Sequence, residues 1–341
     1  MPSGHAADVL LADRPSVLAF WYDDLGRTDD PRQVEFLTGG VSSIVVRVIT
    51  DREAFVVKQA LGQLRVAADW FSRPERSLIE ARCGKVLAEL VPGFVPEIVA
   101  VVPDRSAFVM RSAPPGTETW KDRLMRGEVW QTDADMVGHL LGRIHAASAE
   151  RTDLAASFAD RSFFDELRID PYLRYLAARA PAVAPALGAI ITELLTANTC
   201  LVHGDFSPKN LLMPPDGGVL LVDHEVAHWG HPAFDVAFVT SHLCLKAIRF
   251  RARAGEYVDA AVAVLDGYAT ETRDLGMALG SFTARVTAAL LLARVDGKSP
   301  VEYLTDDDRR FVRSIAGDLL LRPRHDPWEL LGSIRQALAD A

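Results

Sequence analysis

The chain has 341 residues, with 37 Lys plus Arg against 46 Asp plus Glu, a formal net charge of −9. Hydrophobic residues make up 49% and charged residues 24%, a globular composition that excludes a disordered or fibrous chain. The negative balance leaves no basic excess for a nucleic acid, and the length allows about two domains of ~150 residues each.

Cys83, Cys200 and Cys244 stand far apart with no Cys-x-x-Cys pair, which fits a reducing compartment. The start lacks a basic region followed by an apolar stretch, and no apolar run reaches the ~20 residues of a membrane span. The expectation is a cytoplasmic protein, monomer or homodimer, without nucleic-acid or membrane partners. Lysine occurs at only six positions (58, 85, 121, 209, 246, 298) and asparagine at two (198, 210), while arginine is abundant. A Lys or Asn in apolar surroundings therefore asks for a chemical reason.

Along the chain, Pro15 to Leu25 predicts a helix, with Val17, Leu18, Phe20 and Trp21 as its apolar residues. VEFLTGG, SSIVVRVIT and EAFVVKQA then read as three strands rich in β-branched residues, with TDRE as a hairpin turn between the last two. A helix follows over ERSLIEARCGKVLAEL, its apolar face formed by Leu78, Ile79, Cys83, Val86, Leu87 and Leu90. VPEIVAVV and SAFVMRS read as two more strands around Pro103-Asp104-Arg105. After SAPPG the texture turns helical, in MVGHLLGRIHAAS, PAFDVAFVTSHLCLKAIRF, VDAAVAVLDGYA and GSFTARVTAALLLARV. Between these helices lies a β-rich insert, residues 200–225. The expected fold class is α+β with two lobes, a β-rich N-lobe over 1–112 and a mainly helical C-lobe over 113–341.

The insert carries the chemistry. His203-Gly204-Asp205-Phe206-Ser207-Pro208-Lys209-Asn210 is a loop between apolar segments, and Asp223 closes the run VLLV thirteen residues after Asn210. Asp205, Asn210 and Asp223 thus sit on adjacent strand ends. Phosphoryl transfer needs such a set: a carboxylate for the hydroxyl proton, and hard oxygen ligands holding Mg2+ against nucleotide phosphates. Turn acids that merely cap loops are the blander reading. The Asn and the further acids in register, Asp223 and Asp235, outweigh it.

The His-x-Asp-x-x-x-x-Asn spacing matches the catalytic loop of protein kinases. With Gly204, Asp223-His224-Glu225 and Trp229-Gly230-His231-Pro232-Ala233-Phe234-Asp235, the chain more closely resembles the aminoglycoside phosphotransferase and choline-kinase superfamily over residues 34–250. The resemblance implies a protein-kinase-like fold and ATP, or another nucleoside triphosphate, as phosphoryl donor with Mg2+. It makes Asp205 the base and gives Asn210 and Asp223 the metal, with His203 and Asp235 as structural support. It also implies a lysine on the third strand paired with a helix glutamate, and Lys58 and Glu80 occupy those places. Gly39, Gly40, Ser42 and Ser43 would cover the phosphates, and Arg111 to Ala113 would form the hinge that meets adenine through its backbone. GGVSSIVVRV, Trp120 to Gly127 and DELRIDPY are similar to the methylthioribose kinase branch.

Two rivals come from other classes. His224-Glu225-Val226-Ala227-His228 matches the zinc-hydrolase motif His-Glu-x-x-His, which needs a helix that Gly230 and Pro232 leave little room for. A nucleotide-binding pseudokinase is expected to have lost Lys58, Asp205 or Asp223, and all three are present. Only twelve residues separate Asp223 from Asp235, too few for the regulated loop of protein kinases, so the expected acceptor is a small hydroxyl compound. Arg294, Asp296 and Lys298 read as an inter-helix loop.

Overall fold

The computed structural model describes residues 10–37, 42–63, 71–277 and 279–341. It divides into two compact units: the chain up to Gly116 together with Leu220–Val226, and Thr117–Val219 together with Ala227–Ala341.

The first unit is built on a five-stranded antiparallel sheet with the order β1-β2-β3-β5-β4. Its strands are β1 (Gln33–Phe36), β2 (Ser43–Ile49), β3 (Ala54–Ala60), β4 (Ile98–Val102) and β5 (Ala107–Arg111). Period-two alternation puts Ile44, Val46 and Val48 of β2 on one face, where they meet Phe55 and Val57 of β3 and Trp21 in one core. Trp21 reaches that core from α1 (Arg14–Ala19), a helix started by an Asp13–Ser16 capping box. The expected helix over 15–25 is α-helical only to Ala19, then widens into a π-turn over Phe20–Asp24. Trp21 lies tilted against Phe55 with ring centroids 5.6 Å apart. The strand expected over 95–102 begins at Ile98. The next helix, α2 (Arg76–Leu90), carries Arg76 and Glu80 as buried residues.

The second unit begins with β6 (Glu118–Thr119), α3 (Trp120–Met125), α4 (Gln131–Ala149), α5 (Thr152–Ser157) and α6 (Ser162–Phe164). A π-helical stretch over Asp165–Arg174 runs into α7 (Tyr175–Ala177), followed by α8 (Ala184–Thr196). Then come β7 (Cys200–Val202), β8 (Leu211–Met213), β9 (Leu220–Leu221, in the first unit) and β10 (His228–Gly230). The chain closes with α9 (Ala233–Arg249), α10 (Ala254–Thr272), α11 (Ser281–Asp296), α12 (Asp306–Leu321) and α13 (Pro327–Ala339). β7 pairs antiparallel with β10, and β6 with β8. Every residue of α9 from Ala233 to Ile248 is buried, so this helix is the axis of the unit. Among the described residues no helix is long and apolar enough to cross a membrane.

Helices α4 and α10 approach closely through glycines. A Cβ on Gly138 would stand 2.2 Å from the Val264 carbonyl oxygen, and one on Gly267 would stand 2.7 Å from that of Asp135. Alanine at 138 gains about 1 kcal/mol of helix propensity. The forced shift of backbone against backbone opposes it, since overpacking costs about 1–3 kcal/mol. Gly138→Ala is therefore expected to lower stability by up to ~2 kcal/mol net, read as an earlier midpoint in urea unfolding.

Candidate active site

In the first unit, β3 delivers Lys58 to the face of the sheet opposite Phe55 and Val57, in register with Val45 on β2 and Phe108 on β5. Its ammonium donates to Glu80 Oε1 at 2.8 Å and to Asp223 Oδ1 at 2.5 Å. Glu80 arrives from α2, one turn after Arg76. Asp223 follows β9, which is tied in by the Leu221 N–H donating to the Phe94 carbonyl at 2.8 Å. These bonds explain why 220–226 packs with the sheet although it lies in the insert. Asp223 has φ 71°, the left-handed region that Asp tolerates better than most residues and that concentrates at functional positions.

Fully buried Arg76 ties the same cluster together. Its Nε donates to Glu225 Oε2 at 2.9 Å, and its Nη groups donate to the carbonyls of Ser72, Arg73, Leu61 and Ser42. Oxygens of Glu80, Asp223 and Glu225 lie within 4.8 Å of one another, a hard-oxygen donor set of the kind Mg2+ prefers. Three carboxylates thus face two cations, Lys58 and Arg76. Burial pushes the Glu80 carboxyl up to about 8 against the pull of Lys58, with Asp223 and Glu225 adding to the rise. Burial opposes the charge on Lys58, yet Asp223 and Glu80 hold it protonated well above the usual lysine range.

In the second unit, Asp235 in the first turn of α9 organises the loop after β7. Its Oδ2 accepts the His203 N–H at 2.7 Å and its Oδ1 the Gly204 N–H at 2.8 Å. Oδ2 also lies 3.2 Å from His145 Nε2 on α4, and His145 Nδ1 is 3.1 Å from the Tyr268 hydroxyl on α10. Burial alone would raise Asp235, but His145 and His203 together hold its carboxyl below the usual range. Gly204 has φ 77°, so the turn presenting Asp205 depends on a residue without Cβ. The Asp205 N–H donates to His203 Nδ1 at 3.1 Å. The Asp205 carboxylate is held at Oδ2 by Asn210 Nδ2 at 2.8 Å, Arg168 Nη2 at 3.0 Å and Lys209 Nζ at 3.0 Å.

The structure brings together Lys58, Glu80 and Asp223, and separately His203, Asp205, Asn210 and Asp235. Ser42 and Ser43 are buried, with the Ser42 carbonyl engaged by Arg76; Gly39 and Gly40 lie outside the described residues. The Arg111 guanidinium pairs with Glu53 and Glu97 in exposed contacts. Arg111 and Ala113 line an open concavity of about 390 Å³ beside the β2–β3 turn.

The zinc-hydrolase reading is overturned. Residues 222–227 form irregular chain with a turn at Glu225-Val226, and His228 opens β10. The two histidines therefore share no helix face, and Glu225 is occupied by Arg76.

The family model for the phosphotransferase enzyme family (APH) matches residues 33–275. The chain belongs to that family. Two curated relatives are a methylthioribose kinase of Bacillus cereus (strain AH820), 23% identical over 238 residues, and methylthioribose kinase 2 of Oryza sativa subsp. japonica, 23% identical over 249. These matches cover 61% and 65% of this chain but only 59% and 58% of the relatives, less than two thirds of their length. Among solved structures, an amicoumacin kinase in complex with AMP-PNP and Ca2+ superposes with TM-score 0.58 at 13% identity, covering 93% of this chain and 99% of that one. Choline kinase LicA from Streptococcus pneumoniae gives 0.50 at 15% identity, covering 96% and 99%. The fold is protein-kinase-like, a β-sheet lobe and a helical lobe.

Several residues around the two clusters carry no motif of their own. Arg168 and His145 reach Asp205 and Asp235 across 37 and 90 positions, a separation that local pattern does not encode. Arg76 and Glu225 are likewise joined only by tertiary packing. The one local clue is that His145 interrupts the largely apolar buried face of α4.

A carboxyl raised from 4.5 to about 8 contributes stability that is fully present below the lower value and lost as pH passes the upper one. Lys58→Met removes the ammonium while keeping volume, leaving Glu80, Asp223 and Glu225 to repel one another. Its cost should be about 3–5 kcal/mol at high pH, the scale of a broken buried pair, and smaller near pH 5, where the buried Glu80 carboxyl, raised to about 8, is protonated. Urea unfolding at the two pH values checks this.

Proposed function

We propose that the protein transfers the γ-phosphoryl group of ATP, or of another nucleoside triphosphate, to a hydroxyl of a small molecule. The observation that carries this reading is the Asp205 carboxylate, oriented by Asn210, Arg168 and Lys209 on a turn braced by Asp235. In the step, the acceptor oxygen forms a bond to the γ-phosphorus, the bond to the ADP oxygen breaks, and the hydroxyl proton passes to Asp205. Arg168 and Lys209 aim that carboxylate. Catalysis of this kind rests on positioning and electrostatic stabilisation.

The donor set fits a hard cation. Asp223 and Asn210 are the ligands we assign to Mg2+, with Glu225 alongside. When bound, the ion neutralises charge on the nucleotide phosphates. Lys58, held in place by Glu80, acts as a point charge toward those phosphates. AMP-PNP in the amicoumacin kinase complex supports a nucleotide donor, and membership of the phosphotransferase family supports the reaction class.

The short Asp223–Asp235 spacing favours a small acceptor over a protein. A sugar, an aminoglycoside-like compound or another hydroxylated metabolite or antibiotic falls within that class. A second reading, a methylthioribose kinase, is favoured by the names of the curated relatives.

Asp205→Asn should preserve the fold and nucleotide binding while lowering kcat by about 100-fold or more, the scale of general-base catalysis. ADP release from purified protein with a panel of small alcohols measures it, and near-normal turnover would remove Asp205 from this role. Asp223→Ala should raise the Mg2+ requirement of the same assay or eliminate activity. A metal titration that is unchanged in the variant would show that the ion is held elsewhere.

A further inference from the structure

Lys246 is one of only six lysines in the chain, and it is 1% exposed near the C-terminal end of α9. Its ammonium makes one long hydrogen bond, 3.4 Å, to the His242 carbonyl of its own helix, and lies 5.3 Å from the Tyr303 ring. Among the described residues no carboxylate stands within ion-pair distance of it or of Arg294. The guanidinium of Arg294, on α11, is met only by neutral groups: the Tyr172 hydroxyl at 3.1 Å, Ser299 Oγ at 3.1 Å and the Ser299 carbonyl. Arg294 Nε and the Tyr303 hydroxyl are buried without a hydrogen-bond partner. A buried charge is normally paired, because leaving water uncompensated is costly.

These donors connect to Asp205 through packed side chains. Arg168, which grips Asp205, lies 6.0 Å from the Tyr172 ring, and Arg294 lies 5.5 Å from the same ring on its way to the hydroxyl. Phe238 stacks on Tyr172 at 6.1 Å and meets His242 edge-on at 5.2 Å. Lys246 lies one turn further along α9. His242 feels the charges of Arg294, Lys246, Lys209 and Lys121. Of these cations Lys121 is paired with Glu302 at 2.6 Å and Lys209 with Asp205 at 3.0 Å, which leaves Lys246 and Arg294 as the two without an ion pair among the described residues. Burial brings Lys246 down to about 7, with Lys121 and Arg294 adding to the drop and Glu302 opposing it.

We infer that the hydroxyl acceptor is anionic, carrying a carboxylate or a phosphate, and that Lys246, Arg294 and Tyr303 bind this group. The inference rests on the kinase reading above and narrows its acceptor. The missing counter-charge comes from the substrate, whose hydroxyl is directed toward Asp205. Arg294, read from sequence as part of an inter-helix loop, belongs to the helix wall of this site. Tyr303, whose ring lies 5.3 Å from the Lys246 ammonium, belongs to the connection between α11 and α12. A polycationic acceptor would meet like charge here and is disfavoured.

The test uses the full chain with ATP and Mg2+ and four sets of alcohols: hydroxy acids such as glycerate and gluconate, sugar phosphates such as ribose 5-phosphate, neutral sugars including methylthioribose, and cationic alcohols including choline and kanamycin. Phosphorylation should concentrate in one of the first two sets, which also separates carboxylate from phosphate. Direct binding of the same compounds in the presence of AMP-PNP is followed by calorimetry. Lys246→Met should weaken binding and kcat/KM for the anionic acceptor by about 30-fold or more without changing AMP-PNP affinity. Its thermal midpoint should rise, since an unpaired buried charge is replaced by a chain of similar shape. Transfer confined to neutral or cationic alcohols, or anionic binding unchanged in Lys246→Met and Arg294→Met, would overturn the inference and leave the kinase reading standing. Anion binding that the variants lose, without transfer to any alcohol, would uphold the anion site and remove the kinase reading.

Discussion

Asp235 is a carboxylate with no exposed surface, and a charge so placed must be answered from within the protein. Two backbone N–H groups of the His203-Gly204 turn and the imidazole of His145 answer it. The helical unit depends on this one requirement. It joins α9, the buried axis, to the loop after β7, and His145 extends it through Tyr268 to α4 and α10. Those two helices are pressed together at Gly138 and Gly267. The turn that displays Asp205 is thereby fixed by the core of the unit.

The sheet unit solves a different problem by similar means. Lys58 on β3 and Arg76 on α2 are both buried, and each is compensated by carboxylates brought from the 220–226 segment or from α2. Oxygens of Glu80, Asp223 and Glu225 lie around these two cations. Burial is the main cause of the raised Glu80 carboxyl, with Asp223 and Glu225 adding to it, and clustered negative charge of this kind is what a divalent cation relieves. In the helical unit the clustered charge has the opposite sign, with buried Lys246 and Arg294 short of carboxylates.

Much of this molecule was legible in its residues. The five strands and α2 follow from alternation and helical periodicity, and the family follows from the spacing within 203–235, where a few polar residues recur at fixed intervals in an apolar frame. Element ends were less legible. The first helix loosens into a π-turn at Phe20, and β4 begins three residues after its apolar pattern does, because packing of Trp21 and hydrogen bonding at the edges override propensity. His224 to His228 is a case where a short motif agreed with the wrong chemistry: its identity is local, but whether two histidines share a helix face is a property of the backbone path.

The sequence by itself determined the fold class, the phosphotransferase family and the residue types gathered in its chemistry, since these rest on periodicity and short-range spacing. Only the tertiary structure decided which partners those residues have. Arg168 on Asp205, His145 on Asp235, Arg76 on Glu225, and the absence among the described residues of a carboxylate within ion-pair distance of Lys246 and Arg294 all depend on contacts between distant segments. Electrostatic energy varies with distance in space and with burial, and neither quantity is written in the order of the residues.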